Sequence, residues 1–113
     1  MIITFADRNL RKYANNNKLA IKKMGAKRAK LYQKRLDDIA TAESFADFEF
    51  LPGRFHQLTG NLKDKWVCDL DHPYRLIFEP AEVPIPKDED GKQILIEIKS
   101  LEIIEITDYH KKG

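Results

Sequence analysis

The sequence predicts an α+β domain, with an N-terminal strand and helices packed on one face of a mainly antiparallel sheet of about four to five strands. Three observations lead there. Apolar residues in the first part of the chain recur at steps of three and four, those in the second part alternate, and Pro52-Gly53 separates the two regimes. Helices gathered early and strands gathered late make an α+β chain rather than an alternating βαβ one. The 113 residues are one domain's worth, residues 1–113, with one modest core.

Each element has a local reason. Ile2 to Phe5 is a short β-prone run. Asp7 is placed to cap a helix from Arg8 to about Ala14, which Asn15-Asn16-Asn17 interrupts. A second helical stretch runs from Lys18 to Met24, where Gly25 ends or bends it. The third, Ala26 to about Ala42, carries Ala29, Tyr32, Leu36 and Ile39 as one buried stripe. Lys27, Lys30, Lys34 and Arg35 lie mostly off that stripe and are expected to face outward together. Ser44 can cap a last turn through Phe48. Strands are then expected at 55–58, 65–70, 74–79, 94–98 and 101–107. Trp66, Cys68 and Leu70 share a face, as do Tyr74, Leu76 and Phe78, which makes Trp66, Phe78 and Cys68 core residues. Asp71-His72-Pro73 is turn chemistry. Residues 80–93, with three prolines and Asp88-Glu89-Asp90-Gly91, read as a long, mobile, acidic hairpin loop.

The net charge of +2 conceals a strong segregation. Residues 1–36 hold eleven Lys and Arg against the single acid Asp7, a balance of +10; the other 77 residues hold nine bases and seventeen acids, a balance of −8. A basic segment of this kind points to a polyanionic partner. No apolar run reaches the length of a membrane span. The start of the chain lacks the pattern of a secretory signal, so a soluble cytosolic protein is expected. One cysteine and three scattered histidines offer no disulfide and no metal spacing, so no metal and no cofactor are expected.

The residues able to carry chemistry are His56, Arg54, Arg75 and the consecutive Asp108, Tyr109 and His110. They fall in a recognisable order: Leu51-Pro52-Gly53-Arg54-Phe55-His56-Gln57-Leu58, then Gly60, Trp66, Tyr74-Arg75-Leu76-Ile77-Phe78-Glu79, and Asp108-Tyr109-His110. In order and spacing this resembles the HigB-type toxins of the RelE/ParE superfamily, also called plasmid maintenance killer proteins, over nearly the whole chain. The resemblance implies a RelE-like fold, a ribosome-dependent mRNA endonuclease, and a neighbouring HigA-like antitoxin with a helix-turn-helix domain. It further implies catalytic roles for His56, Arg75, Asp108, Tyr109 and His110.

Cleavage of RNA without metal uses the adjacent 2′-hydroxyl as nucleophile. An acid/base pair drawn from His56, Asp108 and His110 would move the protons, Arg75 would stabilise the phosphate, and Tyr109 would stack on or hydrogen-bond the RNA. Lys22, Lys23, Lys27, Arg28, Lys30, Lys34 and Arg35, with Arg54 beside the sheet, would hold ribosomal RNA phosphates. Two departures stand out. Thr59 occupies the position where some members have a lysine, leaving Lys63, Lys65 or Arg54 to supply that charge. The acidic loop 80–93 is longer than in compact members and is expected to point away from the ribosome, where it could touch the antitoxin. The alternatives are a ParE-like poison of DNA gyrase and a non-catalytic RNA-binding domain. A DNA-binding regulator is disfavoured because strands follow the long basic helix.

Overall fold

The computed structural model describes residues 1–108. Strand β1 (Ile2–Phe5) leads into helices α1 (Arg8–Asn15), α2 (Asn17–Met24) and α3 (Ala26–Thr41), then a 3₁₀ helix, Phe45–Phe50. Strands β2 (His56–Gln57), β3 (Trp66–Asp69), β4 (Tyr74–Pro80) and β5 (Ser100–Asp108) follow. They form one five-stranded sheet in the order β1-β5-β4-β3-β2, parallel between β1 and β5 and antiparallel elsewhere. Among the described residues no helix is long and apolar enough to cross a membrane.

The helices start where the side chains allow. Asp7 Oδ1 accepts from the Asn9 and Leu10 amides at 2.7 and 3.1 Å, capping α1. Asn16, inside the expected break, caps α2 by accepting from the Leu19 amide at 3.0 Å. Gly25 has φ +87°, a conformation that separates α2 from α3 and that other residues rarely adopt.

The stripe of α3 lies on the sheet as expected. Tyr32, Leu36 and Ile39 join Trp66, Cys68, Leu76, Phe78, Leu101 and Ile103 in one buried cluster. Phe45 and Phe48 close its far end, edge-on to Trp66 and Phe78 at 5.4–6.0 Å between ring centres. Cys68 is fully buried, and burial pushes its thiol well above the ordinary range, with Arg35 pulling weakly the other way. Polar bolts join the layers. The Tyr32 hydroxyl donates to the Leu10 carbonyl at 2.7 Å, tying α3 to α1. Arg28 grips Asp71 with Nε and Nη2, at 2.9 and 3.2 Å, and stacks 3.3 Å above the Tyr74 ring.

Three expectations are corrected. Arg35 does not face outward: it is 8% exposed and donates from Nε to the Asp69 carbonyl at 2.7 Å. Arg28 is likewise committed to the β3–β4 turn. Residues 94–98 are not a strand. Leu95–Glu97 is a 3₁₀ turn, because a short apolar run carries no period that separates strand from helix, and here the chain must fold back to place Ile98 in the core.

The loop 80–93 makes specific contacts at its far end. Lys87 bridges Gln93, and buried Gln93 accepts from the Trp66 indole at 2.8 Å while donating to the Asp64 carbonyl at 3.1 Å. Lys87 bonds the Asp64 carboxylate at 3.0 Å, which lowers that carboxyl below its ordinary 3.8. The tie is therefore complete above pH 3.8 and weakens as acid protonates Asp64.

Two outcomes are expected. Tyr32→Phe destabilises the fold by about 1 kcal/mol at pH 7 in urea unfolding. Burial, with Asp7 adding to it, raises the Tyr32 phenol above its ordinary 10.0. The hydroxyl's contribution is thus fully present below pH 10, and the gap between wild type and Tyr32→Phe closes as pH rises beyond it. Gln93→Ala frees the loop, read as faster limited proteolysis within residues 81–92 at unchanged secondary structure.

Candidate active site on the open sheet face

The sheet face away from the helices is built of cross-strand pairs. The register places Val67 opposite Ile77 and Asp69 opposite Arg75, and Lys65 bonds Glu79 at 3.0 Å one step beyond. On β2, His56 stands opposite Val67; on β5, Glu105 stands opposite Ile77 and Thr107 opposite Arg75. Val67 and Ile77, 1% and 6% exposed, make an apolar floor flanked by two charged pairs.

His56 and Arg54 are positioned by one tight turn. Gly53 has φ +110°, and a Cβ on it would stand 2.5 Å from Arg35 Nε. Glycine is the residue this position accepts on both counts. Arg54 follows with φ +52°. The turn is pinned to β3 because the Asp69 amide donates to the Gly53 carbonyl at 2.7 Å.

His56 Nδ1 lies 2.8 Å from the Arg54 carbonyl oxygen. A carbonyl only accepts, so Nδ1 carries the proton, and in the neutral ring the lone pair is left on Nε2. His56 is exposed, and this tautomer is that of a general base.

Asp69 joins the two arginines. Its Oδ2 lies 2.8 Å from Arg54 Nε and its Oδ1 3.7 Å from Arg75 Nε. Arg54, Asp69, His72, Tyr74 and Arg75 line a cleft of about 330 Å³. Arg54 is the link in this arrangement: its carbonyl sets the His56 ring, and its guanidinium meets Arg75 through Asp69. Sequence reading missed Asp69. The signal was present, because a hairpin closed around Asp71-His72-Pro73 pairs position 69 with 75.

The C-terminal candidates follow an irregular last strand. Ile77 pairs with Glu105 but Phe78 with Ile103, so Ile104 is an extra residue, a β-bulge. The alternation of β5 reverses there. Leu101 and Ile103 face the helices, and past the bulge so do Ile106, opposite Leu76, and Asp108, opposite Tyr74. By register Asp108 thus takes the helix side at the end of the sheet, opposite Tyr74, which also lines the cleft of Arg54 and Arg75. Tyr109 and His110 lie outside the described residues.

The basic surface is assembled by the helices. Lys22, Lys23, Lys27 and Lys30 are exposed, as are Arg8, Arg11, Lys12 and Lys18, and the acid of that segment, Asp7, is engaged in its cap. Lys34 is exposed and meets Asp38 at 3.5 Å. Arg28 and Arg35, expected among these phosphate-binding side chains, serve the fold instead. Among the described residues no three His, Cys, Asp or Glu side chains gather as a metal site would require.

No protein-family model matches this chain, and no curated protein matches it in sequence.

Gly53→Ala is expected to cost at least about 2 kcal/mol in denaturant unfolding, from backbone strain and displacement of Arg35. Gly91→Ala, at a positive φ with open space around it, costs less and serves as the comparison.

Proposed function

We propose that this protein is a ribosome-dependent mRNA endonuclease of the HigB type, within the RelE/ParE superfamily, and the toxin of a type II toxin–antitoxin pair. The observation that carries the reading is an exposed histidine in the tautomer of a base, its ring set by the Arg54 carbonyl, while the Arg54 and Arg75 side chains meet on one carboxylate. The segregated charge supports it, because exposed lysines and arginines on the helices suit a salt-dependent grip on ribosomal RNA.

In this reading His56 Nε2 takes the proton of the 2′-hydroxyl next to the scissile phosphate. Arg75 and Arg54 stabilise the charge gathering on the phosphate oxygens, and Arg54 supplies the cation that Thr59 does not. The leaving 5′-oxygen is protonated by His110, with Tyr109 holding the RNA. Both of these assignments come from the resemblance. Asp108 belongs to the acid/base set on the strength of the same resemblance. The protein works in the cytoplasm, where translating ribosomes are, and a HigA-like partner restrains it by covering basic or active-site surface with an acidic or apolar patch.

The test is mRNA cleavage by the purified protein with and without translating ribosomes, with cut ends mapped. Cuts are expected only with ribosomes, and His56→Ala and His110→Ala should each lower the rate by about 10²–10⁴. Growth arrest on expression without any cuts overturns the reading. Gyrase-dependent DNA breaks would then mark a ParE-like poison.

A second reading, an RNA-binding domain without catalysis, draws on the bulge that turns Asp108 to the helix side of the sheet. It expects both histidine variants to keep their full effect on growth.

A further inference from the structure

We infer that the aromatic cleft beside His56, at the β2 edge of the sheet, is a nucleobase subsite in which Glu49 and Gln57 select guanine; the inference deepens the endonuclease reading and rests on it. The cleft encloses about 300 Å³, with Phe48, Phe55 and Trp66 among its apolar walls and Glu49, His56 and Gln57 as its charged and polar side chains. His56 lines this cleft rather than the one that Arg54, Asp69 and Arg75 line.

The walls are built by the core. The Phe48 ring centre lies 4.9 Å from that of Phe55 and 5.6 Å from that of Trp66, and the Trp66 indole is fixed by its bond to Gln93. Phe55 is only half-buried, so part of its ring is left to meet a flat ligand. The volume is at the small end for ligand sites, room for one base. Contact between a base and an aromatic wall tolerates any base, so the choice among bases falls to the polar groups that meet its edge.

Glu49 and Gln57 are exposed, and their side chains make no hydrogen bond or ion pair among the described residues. On the neighbouring sheet face, by contrast, Arg54 and Lys65 are engaged by Asp69 and Glu79. One exposed carboxylate in water is ordinary; a free carboxylate and a free amide on one apolar cleft have the layout of a ligand site. A carboxylate only accepts, and an amide also donates. Guanine presents two adjacent N–H donors, N1 and N2, for Glu49, and the O6 carbonyl for the Gln57 amide. Uracil presents one N–H between two carbonyls, which a carboxylate repels. The place of the base in the RNA follows from His56. The 2′-hydroxyl that His56 deprotonates belongs to the nucleotide on the 5′ side of the cut, so the base of that nucleotide is the one beside this cleft.

The test titrates the free protein with the four nucleoside 3′-monophosphates, followed by amide NMR. Trp66 is the single tryptophan of the chain, so its indole signal reports on the cleft, together with the Gln57 side-chain amide. 3′-GMP is expected to shift both signals and to bind about tenfold tighter than 3′-UMP. Glu49→Gln, a surface change that leaves the walls in place, should bring the two within about threefold of each other. If Glu49 merely repels anions, neutralising it tightens all four nucleotides alike, and that outcome overturns the inference. Shifts confined to the basic helices overturn it too. On translating ribosomes, cuts are expected mainly after guanine, and Glu49→Gln should lower the ratio of cuts after guanine to cuts after the other bases by about tenfold; an unchanged ratio overturns the inference. If the wild type cuts no RNA, the endonuclease reading fails separately, and the nucleotide titration still decides the subsite.

Discussion

Asp69 is the residue through which the helical layer, the Gly53 turn and the open sheet face hold one another. Its carbonyl receives Arg35 from α3, its amide fixes the Gly53 carbonyl, and its carboxylate meets Arg54 and Arg75. A buried guanidinium is costly unless it is hydrogen-bonded and has negative charge nearby. Arg35 has the hydrogen bond, from Nε to the Asp69 carbonyl. The arrangement also explains a local demand on the sequence, since the guanidinium lies where a Cβ on residue 53 would be. A glycine turn, a buried arginine and a surface carboxylate are thus one unit, and the exposed face inherits its rigidity from the core beneath it.

The aromatic end of the core and the acidic loop are coupled in the same manner. Trp66 packs edge-on against Phe45 and Phe48, yet its indole N–H needs a partner, which Gln93 provides from the far end of the 80–93 segment. Gln93 and Lys87 then converge on Asp64, so a strongly charged excursion is closed by side chains rather than by a long ladder. The folded loop keeps its acids on one exposed hairpin, and the helices keep the lysines. Charge segregation along the chain therefore persists as segregation between surfaces, which favours a polyanion meeting the helices.

The helices divide their cations by reach. Arg28 and Arg35 point into the protein, where a planar fork can bond a carboxylate or a carbonyl while its stem packs on apolar surface. The neighbouring lysines stay in water, as compact ammonium groups prefer. In α3 the two structural cations are both arginines and the outward ones are lysines, and that division has a physical cause rather than a compositional one.

The sequence by itself determined the fold class, the extent of the three helices to within a residue or two, the hairpin 66–80 and most of the core. Each of these follows from local periods and punctuation: Tyr32, Leu36 and Ile39 at helical spacing, Trp66 and Cys68 in alternation, Gly25 and Pro52-Gly53 as breaks. It also put His56 and Arg75 on strands, and the hairpin spacing contained the pairing of Asp69 with Arg75. What only the tertiary structure decided are features that depend on contacts distant in sequence. The bulge at Ile104 arises where β5 must match β4, and one extra residue moves Asp108 to the opposite face, because a strand's side-chain period is two. Arg35 and Gln93 become interior residues because partners tens of residues away, Asp69 and Trp66, present a carbonyl and an indole at the right distance, and no local pattern along α3 or the loop records that.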